Sequence, residues 1–223
     1  MRPLWEKQIE EDLDWRMAEL FALKLKVSGE KKGSIAYKSL LRALWAMMYA
    51  HYEGYCLFVI GVYLEQLEKL PHQRAEYHKD LVIFSLEKEF RIMRNQPGAG
   101  CYEFFVTEIE KLLKGAIKFE KNPKNDEYVL KGESNLYPDD IVDNCQAVCL
   151  PVPAAVGVHH TELGLIVKRR NAIAHGEKFI IEDLADYLPF ESKAQEVMHE
   201  LSLIIIDALS EKSFLRPIVE YVI

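Results

Sequence analysis

One stretch of the chain concentrates groups able to act on a phosphodiester: Arg169-Arg170-Asn171-Ala172-Ile173-Ala174-His175-Gly176. An arginine keeps its charge and can hold two nonbridging phosphate oxygens at once, while an asparagine amide can donate to phosphate or orient a histidine. A histidine can exchange a proton near neutral pH with a ribose hydroxyl or a leaving oxygen. Together these groups permit attack by RNA's own 2′-hydroxyl, which DNA lacks, and the chemistry calls for no metal and no cofactor.

Spacing sorts these residues. A helix turns about 100° per residue, so Asn171 and His175 fall on one face and Lys168 lies on the same side. Arg170 is five positions before His175 and points about 140° away from it. That separation suits an interface, where the guanidinium bends toward a phosphate near the helix end or meets the equivalent groups of another protomer. Gly176 accepts positive φ, which ends the helix and opens space around the ring. Lys168, Arg169 and Lys178 offer an electrostatic approach to such a groove. The same residues also fit an ordinary solvated surface or a plain basic helix end, where exposed cations contribute about 0.3–1 kcal/mol. No base-reading element is visible, so no sequence preference follows.

The elements that must carry this stretch read as helices. Pro3 suits an initial helical position, and Ile9, Leu13, Met17 and Leu20 recur at three- and four-residue steps, which predicts a helix over 3–26. After the Gly29 to Gly33 turn, Ser34 is an N-cap for a long helix reaching Leu70 before Pro71, with Gly54 or Gly61 placed to bend it or admit a close neighbour. Further helices are expected over 72–93, with Leu81, Phe84 and Phe90 in the core, and over 101–119, with a turn between them at 95–100. Residues 120–137 read as a surface excursion with a short hairpin around Tyr128-Val129-Leu130. Pro138 opens a short helix that Pro151 and Pro153 end. Thr161 is an N-cap for the helix bearing Arg170 and His175, which sends Leu163, Ile166, Val167 and Ile173 into the core. A short helix near 181–188, a longer one near 190–210 and an apolar end at 218–223, a docked tail or a small strand, complete an all-α reading. No repeat or linker divides the chain, so one domain over 1–223 is expected.

Composition bounds the partners. The chain has 223 residues, 49% hydrophobic and 28% charged, with a net charge of -7, values of a folded globular protein rather than a disordered one. That acidity argues against a generic duplex-DNA coat but leaves room for a local cationic RNA site. The apolar run Leu57 to Leu64 is too short to span a membrane and is followed by Glu65 and Glu68. No secretion signal is visible at the N-terminus, so a cytoplasmic protein with reduced thiols is expected. Among Cys56, Cys101, Cys145 and Cys149, the pair Cys145/Cys149 with His159 and His160 raises zinc, yet apolar neighbours such as Val148 and Leu150 favour core cysteines.

The stretch Arg170 to Gly176 resembles the signature of the HEPN superfamily, named for higher eukaryotes and prokaryotes nucleotide-binding domains. More closely, the chain resembles the MAE_28990/MAE_18760-like HEPN group. Tyr49-Ala50-His51-Tyr52-Glu53-Gly54-Tyr55 is similar to that group's alanine-histidine-aromatic-glutamate-glycine-aromatic pattern, and Ser134-Asn135-Leu136 is similar to its step before a short helix. The three landmarks occur in the expected order and cover most of the chain. The resemblance implies a helical bundle with long core helices and a small extended insertion. It also implies pairing into a homodimer whose two arginine-histidine motifs face a shared groove. Many members are metal-independent RNases of toxin, antiviral or other defence systems; others are binding or structural modules. By that resemblance Arg170, Asn171 and His175 form the catalytic set, RNA is the substrate, and a cognate antitoxin or defence-system protein is a partner.

His51 and Glu53 are auxiliary candidates. Glu53 lies two residues from His51 and four from Tyr49, so the three cannot share one narrow helix face. In one reading His51 or Glu53 orients the RNA site across the bundle. In the other, which the need of buried polar groups for specific partners favours, they satisfy a hydrogen-bond network around Tyr52 and Tyr55.

Overall fold

A computed structural model describes residues 2–95, 100–177 and 183–217, the side chains of Cys101 and Phe104 excepted. Lys178, the end of the chain over 218–223 and most of the 95–100 turn therefore lie outside the described residues. The described residues form α1 (Leu4–Gly29), α2 (Ile35–Lys69), a 3-10 turn (Arg74–Glu76), α3 (Lys79–Ser85), α4 (Glu87–Arg94), α5 (Gly100–Lys114), α6 (Pro138–Ala147), α7 (Ala154–Val158), α8 (His160–Ala174) and α9 (Leu184–Glu211). Among them there is no strand; extended pairing is limited to isolated bridges. The architecture is all-α.

The long helix α2 is the axis, packed against α1, α8 and α9. Ser34 Oγ accepts the N–H of Tyr37 at 3.0 Å and starts it, and it then runs unbroken for 35 residues, about 50 Å at 1.5 Å per residue. Leu41, Trp45, Tyr52, Val59 and Tyr63 are fully buried around it, the pattern of a helix covered on most sides. Two of its buried tyrosines find partners for their hydroxyls, Tyr55 with Ser202 Oγ at 2.5 Å and Tyr63 donating to the carbonyl of Val148 at 3.3 Å, while the Tyr52 hydroxyl is buried without one among the described residues. Gly54 is a point of close approach, since a Cβ there would lie 3.0 Å from Nη1 of Arg16 on α1.

Several element boundaries depart from the sequence reading, among them the helix expected over 101–119, which ends at Lys114. The expected helix over 72–93 is broken into the 3-10 turn, α3 and α4, because backbone around Gln73 and Tyr77 bridges to Ala116 and Leu215 instead of bonding along a helix. The expected break near Pro189 does not occur. The proline removes one helical donor, but Tyr187 and Phe190 on either side of it both pack on the Trp45 ring, at 5.9 and 5.0 Å between centroids, and hold α9 continuous. Thr161 is not the cap of α8: that helix starts at His160, with only His159 between it and the end of α7.

The segment 120–137 is less detached than a surface excursion. Its hairpin is a single bridge between Lys121 and Tyr128, turned by Asp126 at φ 59°, and Leu130 and Leu136 are buried against the bundle. Cys145 is buried in the core, which pushes its thiol up to about 12, and His159 and His160 bond to Glu196 and Asp139 at 2.8 and 2.9 Å. Among the described residues no group of three or more histidine, cysteine or acidic side chains could hold a metal, and no helix is long and apolar enough to cross a membrane.

Asp183 fixes the start of α9. Its Oδ1 accepts from the Tyr37 hydroxyl at 3.0 Å and from the N–H of Ala185 at 3.4 Å, and Lys32 pairs with its other oxygen. Lys32 and then Tyr37 hold the carboxyl at about 2, below its ordinary 3.8. A depressed carboxyl stabilises the fold above its unfolded pKa of about 4 and loses that contribution as pH falls through the folded value. Asp183→Ala is therefore expected to lower the urea midpoint at neutral pH, with the difference from wild type shrinking as pH falls from about 4 toward 2. A wild-type advantage that stays constant over that range would separate the cap from the carboxylate charge.

Candidate functional site

The described end of α8 divides into an inner and an outer side. Leu163, Ile166 and Val167 are buried, and the indole Nε1–H of Trp45 reaches the carbonyl of Ile166 at 3.4 Å. Lys168 and His175 are exposed and Asn171 is half-buried, as their common helical side requires. His175 is the last half-helical residue. Gly176 follows at φ 75°, its N–H bonds the carbonyl of Ile173 at 3.1 Å, and that of Glu177 bonds the carbonyl of Ala172 at 2.9 Å. This is a Schellman closure, which needs a residue without Cβ strain at the left-handed position. Arg42 of α2 donates to the carbonyl of Glu177 at 3.0 Å and ties the outgoing chain down.

Arg170 turns inward, toward its own chain. Its guanidinium carbon stands 4.1 Å from the centre of the Tyr49 ring, Nη2 donates to the carbonyl of Ser134 at 3.1 Å, and Nη2 is 3.6 Å from Oε2 of Glu53. The Tyr49 hydroxyl donates to Oε1 of Glu53 at 2.8 Å and accepts the N–H of Leu136 at 2.7 Å. Three stretches far apart in sequence, at 49–53, 134–136 and 170, thus close one network. Burial pushes the Glu53 carboxyl up, while Tyr49 and Arg170 oppose that rise. The Arg170 side chain is 23% exposed, so the clamp fixes its position without sealing it from solvent.

The other expected residues separate. Arg169 is not an open electrostatic lure: it lies between the rings of Trp45 and Phe190, 4.8 and 4.6 Å from their centroids, and burial lowers its pKa. His51 faces α1, away from α8. Its ring meets Trp15 edge-on at 5.2 Å, Nδ1 is 3.5 Å from Arg16 Nη1, and Nε2 is 2.8 Å from Glu19 Oε2 without hydrogen-bond alignment. Burial first, then Arg16, lowers its pKa. Glu53 instead joins Arg170, so the two auxiliary candidates serve opposite sides of α2, and among the described residues neither hydrogen-bonds to Tyr52 or Tyr55, the centre of the expected network.

Arg42, Tyr49 and Ser134 were not singled out from the sequence as contacts of the site. A signal for two of them exists. Arg42, Trp45, Tyr49 and Glu53 recur at steps of three, four and four on α2, one stripe whose members meet Glu177, Arg169, Arg170 and Arg170 in turn.

The helical bundle, with an arginine and a histidine five residues apart at one helix end, agrees with the HEPN resemblance of the sequence. The family model of HEPN_MAE_28990-like HEPN proteins matches residues 5–214, and the chain belongs to that family. No curated protein and no solved structure matches it.

Proposed function

We propose that the protein is a metal-independent endoribonuclease acting through Arg170, Asn171 and His175. The observation that carries this reading is the division of labour at the end of α8: an exposed histidine beside Asn171 and Lys168, and an arginine immobilised by Tyr49, Glu53 and Ser134 on the flank. A preorganised cation stabilises developing phosphate charge without reorganising during the reaction. In this scheme the substrate's 2′-hydroxyl attacks the adjacent phosphorus, and His175 assists proton transfer. Asn171 positions phosphate and Arg170 stabilises the charged transition state. The products are a 2′,3′-cyclic phosphate and a 5′-hydroxyl end.

The outward aim of His175 and the inward aim of Arg170 fit a groove completed by a second copy, so the working form is a homodimer with two motifs facing each other. Family membership and the motif support a cytoplasmic role in a toxin or phage-defence system, checked by a cognate antitoxin or other system protein. One observation favours a second reading: Glu53 already counters the charge of Arg170 within the chain. That pairing fits a noncatalytic HEPN module that binds RNA or a protein partner, or a structural dimerisation domain.

Incubation with RNA of mixed structure in EDTA distinguishes the readings. Turnover of RNA is expected, with 2′,3′-cyclic phosphate ends, while DNA of the same sequence stays intact. RNA binding without turnover at any protein concentration would favour the noncatalytic module.

A further inference from the structure

A second stripe of α2 has no part in the site. Gly54, Leu57, Phe58, Gly61, Val62 and Glu65 recur at steps of three, one, three, one and three, so they line one side of the helix. The two glycines, two turns apart, sink this surface. A Cβ at Gly61 would stand 3.7 Å from the Tyr128 ring, so the 120–137 segment forms the facing wall. Between them lies a cleft of about 440 Å³.

Its chemistry is two-layered. Leu57, Phe58, Val62 and Leu130 supply an apolar floor, and Glu53, Glu65, Asp126, Glu127 and Glu133 a rim on which Lys121 is the single lining cation among the described residues. Asp126 pairs with Lys121 at 3.2 Å and Glu65 with Lys69 at 2.8 Å. Glu127 and Glu133 are exposed and have no ion pair among the described residues. The rim therefore keeps a negative surplus, on a chain whose net charge is -7. Nucleic acid is repelled by such a surface. Its complement is an apolar side chain flanked by cations, and the cleft falls within the roughly 300–1,000 Å³ of ordinary binding pockets.

We infer that this cleft docks a basic amphipathic peptide segment of a partner protein, an apolar side chain entering over Leu57 and Phe58 while Lys or Arg groups meet Glu127, Glu133 and Glu53. The charge complementarity selects this occupant over a second copy of the acidic chain. Glu53 also gives the docking a consequence, because the carboxylate that lines the cleft is the one 3.6 Å from Arg170. A cation arriving at Glu53 competes with Arg170 for it, so segment binding and the Arg170 clamp oppose each other reciprocally. The docking itself needs no RNA and stands or falls separately from RNA cleavage.

Fluorescence anisotropy without RNA tests it, using fluorescein-labelled peptides that alternate Lys with Leu, Lys with Ser, or Glu with Leu, titrated with the full chain. The Lys/Leu peptide is expected to bind saturably and about tenfold or more tighter than the other two. Reversing the exposed rim with Glu127→Lys and Glu133→Lys should weaken it about tenfold, and Gly61→Leu, which fills the cleft, should remove it while circular dichroism stays helical. Arg170→Ala, which frees Glu53, should tighten it about threefold. Equal affinity for the Lys/Leu and Lys/Ser peptides, absence of saturable Lys/Leu binding, or affinity indifferent to the rim reversal would overturn the docking. Unchanged or weaker binding to Arg170→Ala would overturn the link through Glu53.

Discussion

Arg170→Ala is expected to lower the metal-free RNA cleavage rate by about 10²–10³-fold, the usual loss when one preorganised charge-stabilising donor is removed. Arg170→Lys should recover little. The native side chain uses a planar fork to lie over Tyr49, reach the Ser134 carbonyl and approach Glu53 together, and an ammonium group has no such plane. The alanine variant also strands Glu53, whose carboxyl burial already pushes up. A partly buried carboxylate that loses its counter-cation costs stability, and an amide that keeps the Tyr49 contact avoids that cost. Glu53→Gln in the Arg170→Ala background should therefore raise the urea midpoint again without restoring cleavage. Wild-type cleavage by Arg170→Lys would exclude the bidentate role, and a rescue of cleavage by the double variant would make charge balance, not the guanidinium, the active ingredient.

Trp45→Ala is expected to have the largest effect on stability, about 3–5 kcal/mol in urea unfolding, as for other buried large aromatic truncations. The indole is fully buried and bonds the Ile166 carbonyl. It also packs on Tyr187 and Phe190 of α9 and, with Phe190, encloses Arg169. One side chain thus joins α2, α8 and α9 directly beneath Arg169, the neighbour of Arg170. Arg169→Ala should cost less, about 0.5–2 kcal/mol for a partly desolvated cation–π contact. The double variant should cost less than the two losses added, because they share that contact. Strict additivity would show that the stack contributes nothing beyond separate packing.

Long periodic elements were legible from sequence because a single physical rule governs them. The Ser34 cap, the apolar spacing of α2 and the Arg170 to Gly176 stretch each announce themselves locally. What escaped notice depends on partners distant in the chain. Gln73 and Tyr77 leave the helical pattern because backbone near 116 and 215 competes for them. Pro189 fails to stop α9 because Trp45, 144 positions earlier by subtraction, anchors both sides of it. The direction of Arg170 was hidden for the same reason: rotation places its Cα but not the end of a long flexible arm, which an aromatic ring and a carboxylate from α2 decide. The paired steps that place Tyr49 and Glu53 on that stripe were in the sequence, and they acquire meaning only once α8 is known to lie against it.

The most direct measurement compares wild type and His175→Ala on one end-labelled RNA in EDTA, with product ends mapped and helicity matched by circular dichroism. His175 is exposed at the end of α8, so its removal leaves the core intact. Wild-type protein is expected to cut and leave 2′,3′-cyclic phosphate and 5′-hydroxyl ends, and His175→Ala to cut about 10²–10⁴-fold more slowly, the range for loss of a proton-transfer group. Equal rates in the two proteins would contradict the assignment of RNA cleavage to this helix end.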